Sequence, residues 1–77
     1  MKNDTENTLS GIAMSLKELR AKAGLTQEEL ARRSGVGLRF VREVEQGKQT
    51  VRVDKLNQVL ALFGYHLEAV KHRETAA

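Results

Sequence analysis

The chain contains no cysteine, no proline and no tryptophan, and its aromatic residues are one tyrosine and two phenylalanines. Without cysteine it can form neither a disulfide nor a thiolate metal site, so two common means of stabilising a small protein are excluded. No apolar run approaches the roughly 18 to 20 residues that a membrane span requires. The polar start MKNDTENT is unlike a secretion signal, and we expect a soluble, cytoplasmic protein.

What remains is a small domain with a core of aliphatic residues. Of its 77 residues 40% are hydrophobic, which is too many for a disordered chain. A chain of this length buries only about 60 to 65% of its unfolded surface. Stability must therefore come from packed helices or from a second subunit.

The formal net charge is +3, and the excess of bases lies in the middle of the chain. Residues 17–48 carry eight bases and five acids, whereas residues 1–16 have one more acid than base and residues 49–77 one more base than acid. Such a segment favours a polyanionic partner, although a solvated helical surface would have the same composition. The two interpretations differ in whether the bases share a face.

The apolar spacing predicts four helices after a flexible arm over residues 1–8, which have too little apolar character to order themselves. Helix 1 is expected from Ser10 to Gly24. Helix 2 begins with a capping box of Thr26 and Glu29 and runs to about Ser34, where a glycine can take the left-handed conformation. Helix 3 is expected over 38–46 and helix 4 over 53–63, each followed by a glycine.

The end of the chain has a different period. Tyr65, Leu67 and Ala69 alternate with their neighbours, which is typical of a strand. A single strand needs a partner, and the chain offers no second strand candidate. Residues 72–77 are predicted to be a flexible tail.

Helices 2 and 3, joined by a tight turn, have the plan of a helix-turn-helix. Helical geometry places Val41 and Val44 on the inner side of helix 3. The opposite, outward side holds Arg39, Arg42, Glu43 and Gln46, with Leu38 at its border. Arginine can pair with guanine, glutamine with adenine, and a carboxylate can accept from cytosine or orient a neighbouring arginine. An ordinary amphipathic helix would also expose charges, but it does not explain this order of helix, turn and helix.

Three motifs, GLTQEELA at 24–31, SGV at 34–36 and VEQGK at 44–48, resemble the lambda-repressor-like (Xre type) helix-turn-helix family, and the likeness spans about residues 16–64. TVRVDKL at 50–56 and YHLEAV at 65–70 look most like HipB-type antitoxins of that family. The resemblance implies an all-α fold of four helices plus one C-terminal strand that pairs across a homodimer. It further implies a repressor of its own operon that binds a palindromic operator in double-stranded DNA and a HipA-type serine/threonine kinase toxin.

The resemblance also assigns roles to individual residues. It pairs Arg20 with Glu45 in a structural ion pair. It places base reading at Leu38, Arg39, Arg42 and Glu43. Phosphate binding falls on Gln27, Gly37, Gln46, Lys48 and Arg52, and the dimer interface on Phe63, Tyr65, Leu67 and Ala69.

Other chemistry finds little support. His66 and His72 lack the spacing of a metal pair, no residue stands in a motif that would activate a nucleophile, and we expect neither an enzyme nor a cofactor. Phe63 and Tyr65 could stack on bases, although apolar filling beside helix 4 accounts for them better. A regulator without a toxin partner and an interaction module that no longer binds DNA remain as alternatives.

Overall fold

A computed structural model describes the backbone of residues 4–71 and the side chains from residue 11 onward. It contains four helices, α1 (Asp4–Lys22), α2 (Gln27–Ser34), α3 (Leu38–Glu45) and α4 (Val53–Ala61). Helix α3 packs on α2 and α1, and α2 also packs on α4. None of the described helices has the length and apolar character needed to cross a membrane.

The core lies where these four helices meet and consists almost entirely of aliphatic side chains. Its largest members are fully buried and come from every helix: Leu16, Leu30, Val41, Leu56 and Val59. Each such side chain stabilises the fold by about 1.5 to 3 kcal/mol relative to exposure. The predicted aliphatic core is therefore present.

Helix α1 is longer than the spacing of apolar residues predicted. It begins at Asp4 rather than near Ser10, so residues 4–8 are helical, whereas we expected them in a flexible arm. The reason is that residues 4–10 contain neither glycine nor proline, and nothing in the segment stops a helix that continues backwards from the packed part. Residues 1–3 lie outside the described residues.

The start of α2 confirms the predicted capping box. The Thr26 hydroxyl accepts a hydrogen bond from the Glu29 N–H at 3.0 Å, and the Glu29 carboxylate accepts one from the Thr26 N–H at 2.8 Å. Two backbone donors of the first turn are thereby satisfied. The helix ends at Ser34, also as predicted.

The turn between α2 and α3 depends on Gly35. Its φ of +82° lies in the left-handed region, which residues with a Cβ resist. The Gln58 amide donates to the Ser34 carbonyl at 2.8 Å, and a Cβ on Gly35 would lie 3.0 Å from that same amide nitrogen. Val36 follows and is buried. These constraints hold α3 at a fixed angle to α2.

Residues 65–71 form neither helix nor strand within the described chain. The segment is held against α4 by two hydrogen bonds, from the Tyr65 N–H to the Leu60 carbonyl at 3.1 Å and from the Leu67 N–H to the Asn57 side chain at 2.7 Å. Because a strand exists only when paired, its pairing across a dimer stays a prediction. The predicted tail, residues 72–77, lies outside the described residues.

Candidate nucleic-acid interface

Helix α3 presents one side to the core and the other to solvent. Val41 and Val44 are buried, whereas the side chains of Arg39 and Arg42 are 92% and 51% exposed. Gln46 follows the last helical residue and is exposed as well. The side of α3 that faces outward is thus rich in hydrogen-bond donors that can reach base edges.

A buried ion pair fixes the inner side of α3. Arg20 of α1 contacts Glu45 of α3 through two parallel hydrogen bonds, at 2.7 Å from Nε and 2.9 Å from Nη2. A third donor of Arg20 reaches the Leu25 carbonyl at 3.0 Å. The Glu45 side chain is only 2% exposed. The structure therefore brings together the two residues that the family resemblance pairs, with the bidentate geometry that favours arginine over lysine.

Gln27 completes this network. Its amide nitrogen donates to the Glu45 carboxylate at 2.9 Å, so residues of α1, α2 and α3 meet at one carboxylate. Burial alone would raise the pKa of Glu45, but the hydrogen bonds from Arg20 and Gln27 outweigh it, and the pKa is lowered. The hydrogen bond to Glu45 in turn raises the pKa of Arg20. Both groups are charged at neutral pH, and together they hold α3 against its neighbours.

The contact with Glu45 limits what the predicted phosphate ligand Gln27 has left to donate. The side chain is half-buried, and one of its two amide hydrogens is directed to Glu45. The other amide hydrogen is directed elsewhere than to Glu45, and the leading N–H groups of α2 have no partner within the helix. The sequence pattern did not reveal the contact of Gln27 with Glu45, because the two residues are 18 positions apart.

On the outward side of α3 and just after the helix, each of the exposed bases Arg39, Arg42 and Lys48 lies beside a carboxylate. Glu43 lies 3.2 Å from Arg39 and 3.3 Å from Lys48, so one carboxylate contacts two bases. Glu28 of α2 lies 3.8 Å from Arg42 across the turn. The hydrogen bond from Lys48, helped by Arg39, lowers the pKa of Glu43, which is therefore an anion at neutral pH.

A fourth such pair lies at the start of α4. Arg52 contacts Asp54 through two hydrogen bonds of 2.6 and 3.1 Å, and these lower the pKa of Asp54. The four bases that the family resemblance predicts to contact DNA, at positions 39, 42, 48 and 52, thus each have a carboxylate within 4 Å. The spacing of residues 39 and 43 could have predicted one of these pairs; the contact between α2 and α3 could not be predicted from spacing.

Of the two remaining positions at this surface, Leu38 is less exposed than the sequence suggested, whereas Gly37 is accessible. Leu38 is half-buried and packs against the core, so only part of it can contact a base. Gly37 is exposed and precedes α3 with no side-chain cap, which leaves its backbone open to a phosphate. Arg39 and Arg42 are therefore the most exposed of the four side chains that were predicted to read bases.

The residues expected at a dimer interface lie between the end of α4 and residue 69, and they divide into two sets. Phe63 and Leu67 are half-buried and pack on the core of their own chain, whereas Tyr65 and Ala69 are exposed. A groove lies on each side of the segment, with cavity volumes of about 420 and 520 Å³. The apolar lining of the larger one includes Ile12, Val51, Val53, Leu56 and Leu67.

Comparison with known proteins agrees with this geometry. The helix-turn-helix family model HTH_3 matches residues 16–70, which cover all of α2, α3 and α4. The uncharacterized HTH-type transcriptional regulator y4mF of Sinorhizobium fredii (strain NBRC 101917 / NGR234) is 38% identical over 61 residues, or 79% of this chain and 80% of that protein. No solved structure matches the chain.

Proposed function

Because the chain belongs to the helix-turn-helix family and is a DNA-binding transcriptional regulator of Xre type, we propose that it is a sequence-specific repressor that inserts α3 into the major groove. The observation that carries this proposal is the outward side of α3. It exposes Arg39 and Arg42, while the buried contact of Glu45 with Arg20 fixes the orientation of the helix.

In this proposal Arg39 and Arg42 read guanine through paired hydrogen bonds, and Glu43 can accept from the amino group of cytosine. The exposed part of Leu38 offers an apolar contact to a thymine methyl group. Each good bidentate contact contributes about 1 to 3 kcal/mol of discrimination against the wrong base.

Phosphate contacts surround this reading surface. Gln27 lies at the start of α2, where the helix dipole and the free N–H groups favour an anion. Gln46, Lys48 and Arg52 follow α3, and Gly37 precedes it. Such contacts set the register of the protein on DNA and supply the salt-dependent part of the affinity.

We propose that the repressor is a homodimer paired through residues 65–71. The N–H groups of Tyr65 and Leu67 bond to the chain's own α4, and in extended backbone these point to one edge. Within the described residues the N–H groups of His66 and Glu68 donate no hydrogen bond, so the opposite edge is available to a second copy. Twofold symmetry would then set two α3 helices about 34 Å apart on a palindromic operator.

The DNA-binding part is tested by selecting binding sites from a random duplex library with the full chain. We expect an inverted repeat whose half-site centres lie about 10 base pairs apart, one helical turn. Enrichment of no sequence, or of a single unrepeated half-site, would contradict the dimeric repressor.

The dimer is tested by a proline that removes one outward N–H group. Glu68→Pro should give monomers in sedimentation equilibrium, because proline cannot donate to a strand partner. Glu68→Ala keeps the N–H group and should stay dimeric. If both variants dimerise like the wild type, the interface lies elsewhere.

We further propose that this regulator is the antitoxin of a HipA-type kinase toxin and represses their shared operon. The support is the likeness of residues 50–56 and 65–70 to HipB-type antitoxins. The test is co-expression with the product of the adjacent gene, followed by purification of the complex and a kinase assay. A stoichiometric complex that suppresses kinase activity is expected, and a neighbouring gene that encodes no kinase would favour a stand-alone regulator.

A further inference from the structure

On the outward side of α3 and just after it, carboxylates lie among the bases. Glu43 contacts Arg39 at 3.2 Å and Lys48 at 3.3 Å. These two bases have different proposed tasks, base reading and phosphate binding, and a single carboxylate is shared between them. The Glu43 side chain is itself 26% exposed, at the surface that would face DNA.

A carboxylate in this position competes directly with DNA phosphate. Before Lys48 or Arg39 can contact a phosphate, its contact with Glu43 must loosen, and the carboxylate must approach a polyanion. Both effects oppose binding to any DNA sequence. They weaken as salt screens the charges, because the groups are exposed.

The opposition is not equal for all sequences. In an operator complex Arg39 bonds to a base edge, and the Glu43 carboxylate can accept from a cytosine amino group or stay bonded to Arg39. Its charge is then compensated within the interface. Non-cognate DNA offers mainly phosphates, which recruit the bases away from Glu43 and leave its charge without a donor.

We propose that Glu43 is a specificity-determining residue, an internal competitor for phosphate that lowers the affinity for non-cognate DNA more than the affinity for the operator. This inference rests on the proposed docking of α3 in the major groove. It goes beyond base reading by Glu43, because its effect is on sequences that Glu43 does not read.

The test compares Glu43→Gln with the wild type on two probes, the selected operator and a random-sequence duplex of about 30 base pairs, three helical turns. Affinities are measured by fluorescence anisotropy at low and at physiological salt. We expect random-duplex affinity to rise about three- to fivefold at low salt, and less at higher salt. Operator affinity should be unchanged or lower, so that the ratio of the two affinities falls.

Two variants control for charge. Glu43→Asp keeps the carboxylate and should stay close to the wild type on random duplex. Glu18→Gln removes one negative charge from α1, where Glu18 forms no ion pair with any described residue, and should change random-duplex affinity less than Glu43→Gln. Thermal unfolding followed by circular dichroism establishes that each variant is folded.

A double-mutant cycle tests whether Glu43 acts through its contacts with Lys48 and Arg39. If Glu43 acts by competing for Lys48 and Arg39, the gain from Glu43→Gln should shrink in a Lys48→Ala or Arg39→Ala background. Equal gains on operator and random duplex, or none on either, would overturn the inference while leaving the repressor proposal intact. A wild-type chain that binds neither probe would overturn both.

Discussion

Two arginine–glutamate pairs of this small domain have almost the same chemistry and opposite surroundings. Arg20 and Glu45 meet at 2.7 Å with side chains 22% and 2% exposed. Arg39 and Glu43 meet at 3.2 Å with side chains 92% and 26% exposed. Both glutamates belong to α3, two positions apart, and they point to opposite sides of it.

The two pairs differ above all in burial, and we expect burial to separate a structural pair from one that DNA can open. Once Glu45 is removed from water, its charge requires Arg20 and Gln27, and opening the contact would leave an uncompensated buried ion. Water can replace the partner of Arg39 at little cost, so that pair can open when DNA approaches. Helix α3 therefore carries a buried carboxylate whose partners are fixed and an exposed carboxylate whose partner can exchange.

Removing one carboxylate from each pair is the strongest test of this difference. Glu45→Gln leaves Arg20 partly buried without its counter-ion and should lower the free energy of unfolding by about 3 kcal/mol. Glu43→Gln should leave the urea midpoint near that of the wild type. Comparable shifts in the two midpoints would show that burial does not distinguish the pairs.

The pH dependence of stability is a second test of the buried pair of Arg20 and Glu45. The pKa of Glu45 is lowered in the folded chain, so its contribution is present above the pKa of the unfolded state, about 4.3, and is lost as the pH falls through the lower folded value. We expect unfolding free energy to fall below about pH 4 in the wild type, and to fall less steeply in Glu45→Gln. Urea titrations between neutral pH and pH 3 measure this slope, and parallel curves would contradict the assignment.

On the exposed side of α3, removing an arginine should lower the affinity for DNA and leave the stability of the fold unchanged. Arg39→Ala or Arg42→Ala should weaken operator binding by about 1 to 3 kcal/mol and affect random DNA much less. The urea midpoint should remain that of the wild type, because both side chains are exposed. An equal loss on random DNA would assign that arginine to phosphate binding.

Much of the fold could be predicted from short-range patterns, because caps and terminating glycines act within one helical turn. Thr26 and Glu29 lie three positions apart and formed the predicted box, and Gly35 ends α2 in the left-handed conformation. The start of α1 was predicted wrongly since residues 4–8 contain no apolar stripe, yet also nothing that ends a helix.

The candidate site was less predictable because its contacts depend on distances between helices. The pairing of Glu28 with Arg42 and the bond from Gln27 to Glu45 join residues 14 and 18 positions apart across a turn whose angle the pattern does not specify. Periodicity identified the outward face of α3, but not that its bases would each have an acidic neighbour.

Lys48 provides the smallest and most specific test of the outer side. It follows α3, is about half exposed and contacts DNA only as a phosphate ligand in our proposal. Lys48→Ala should weaken operator and random DNA to a similar degree and reduce the slope of log K against log salt by about one. Lys22→Ala, which removes the same charge from the end of α1, should leave the slope closer to that of the wild type. An unchanged slope in Lys48→Ala would mean that Lys48 and its exposed contact with Glu43 are only solvated surface charges. Exposure alone would then not make an ion pair functional.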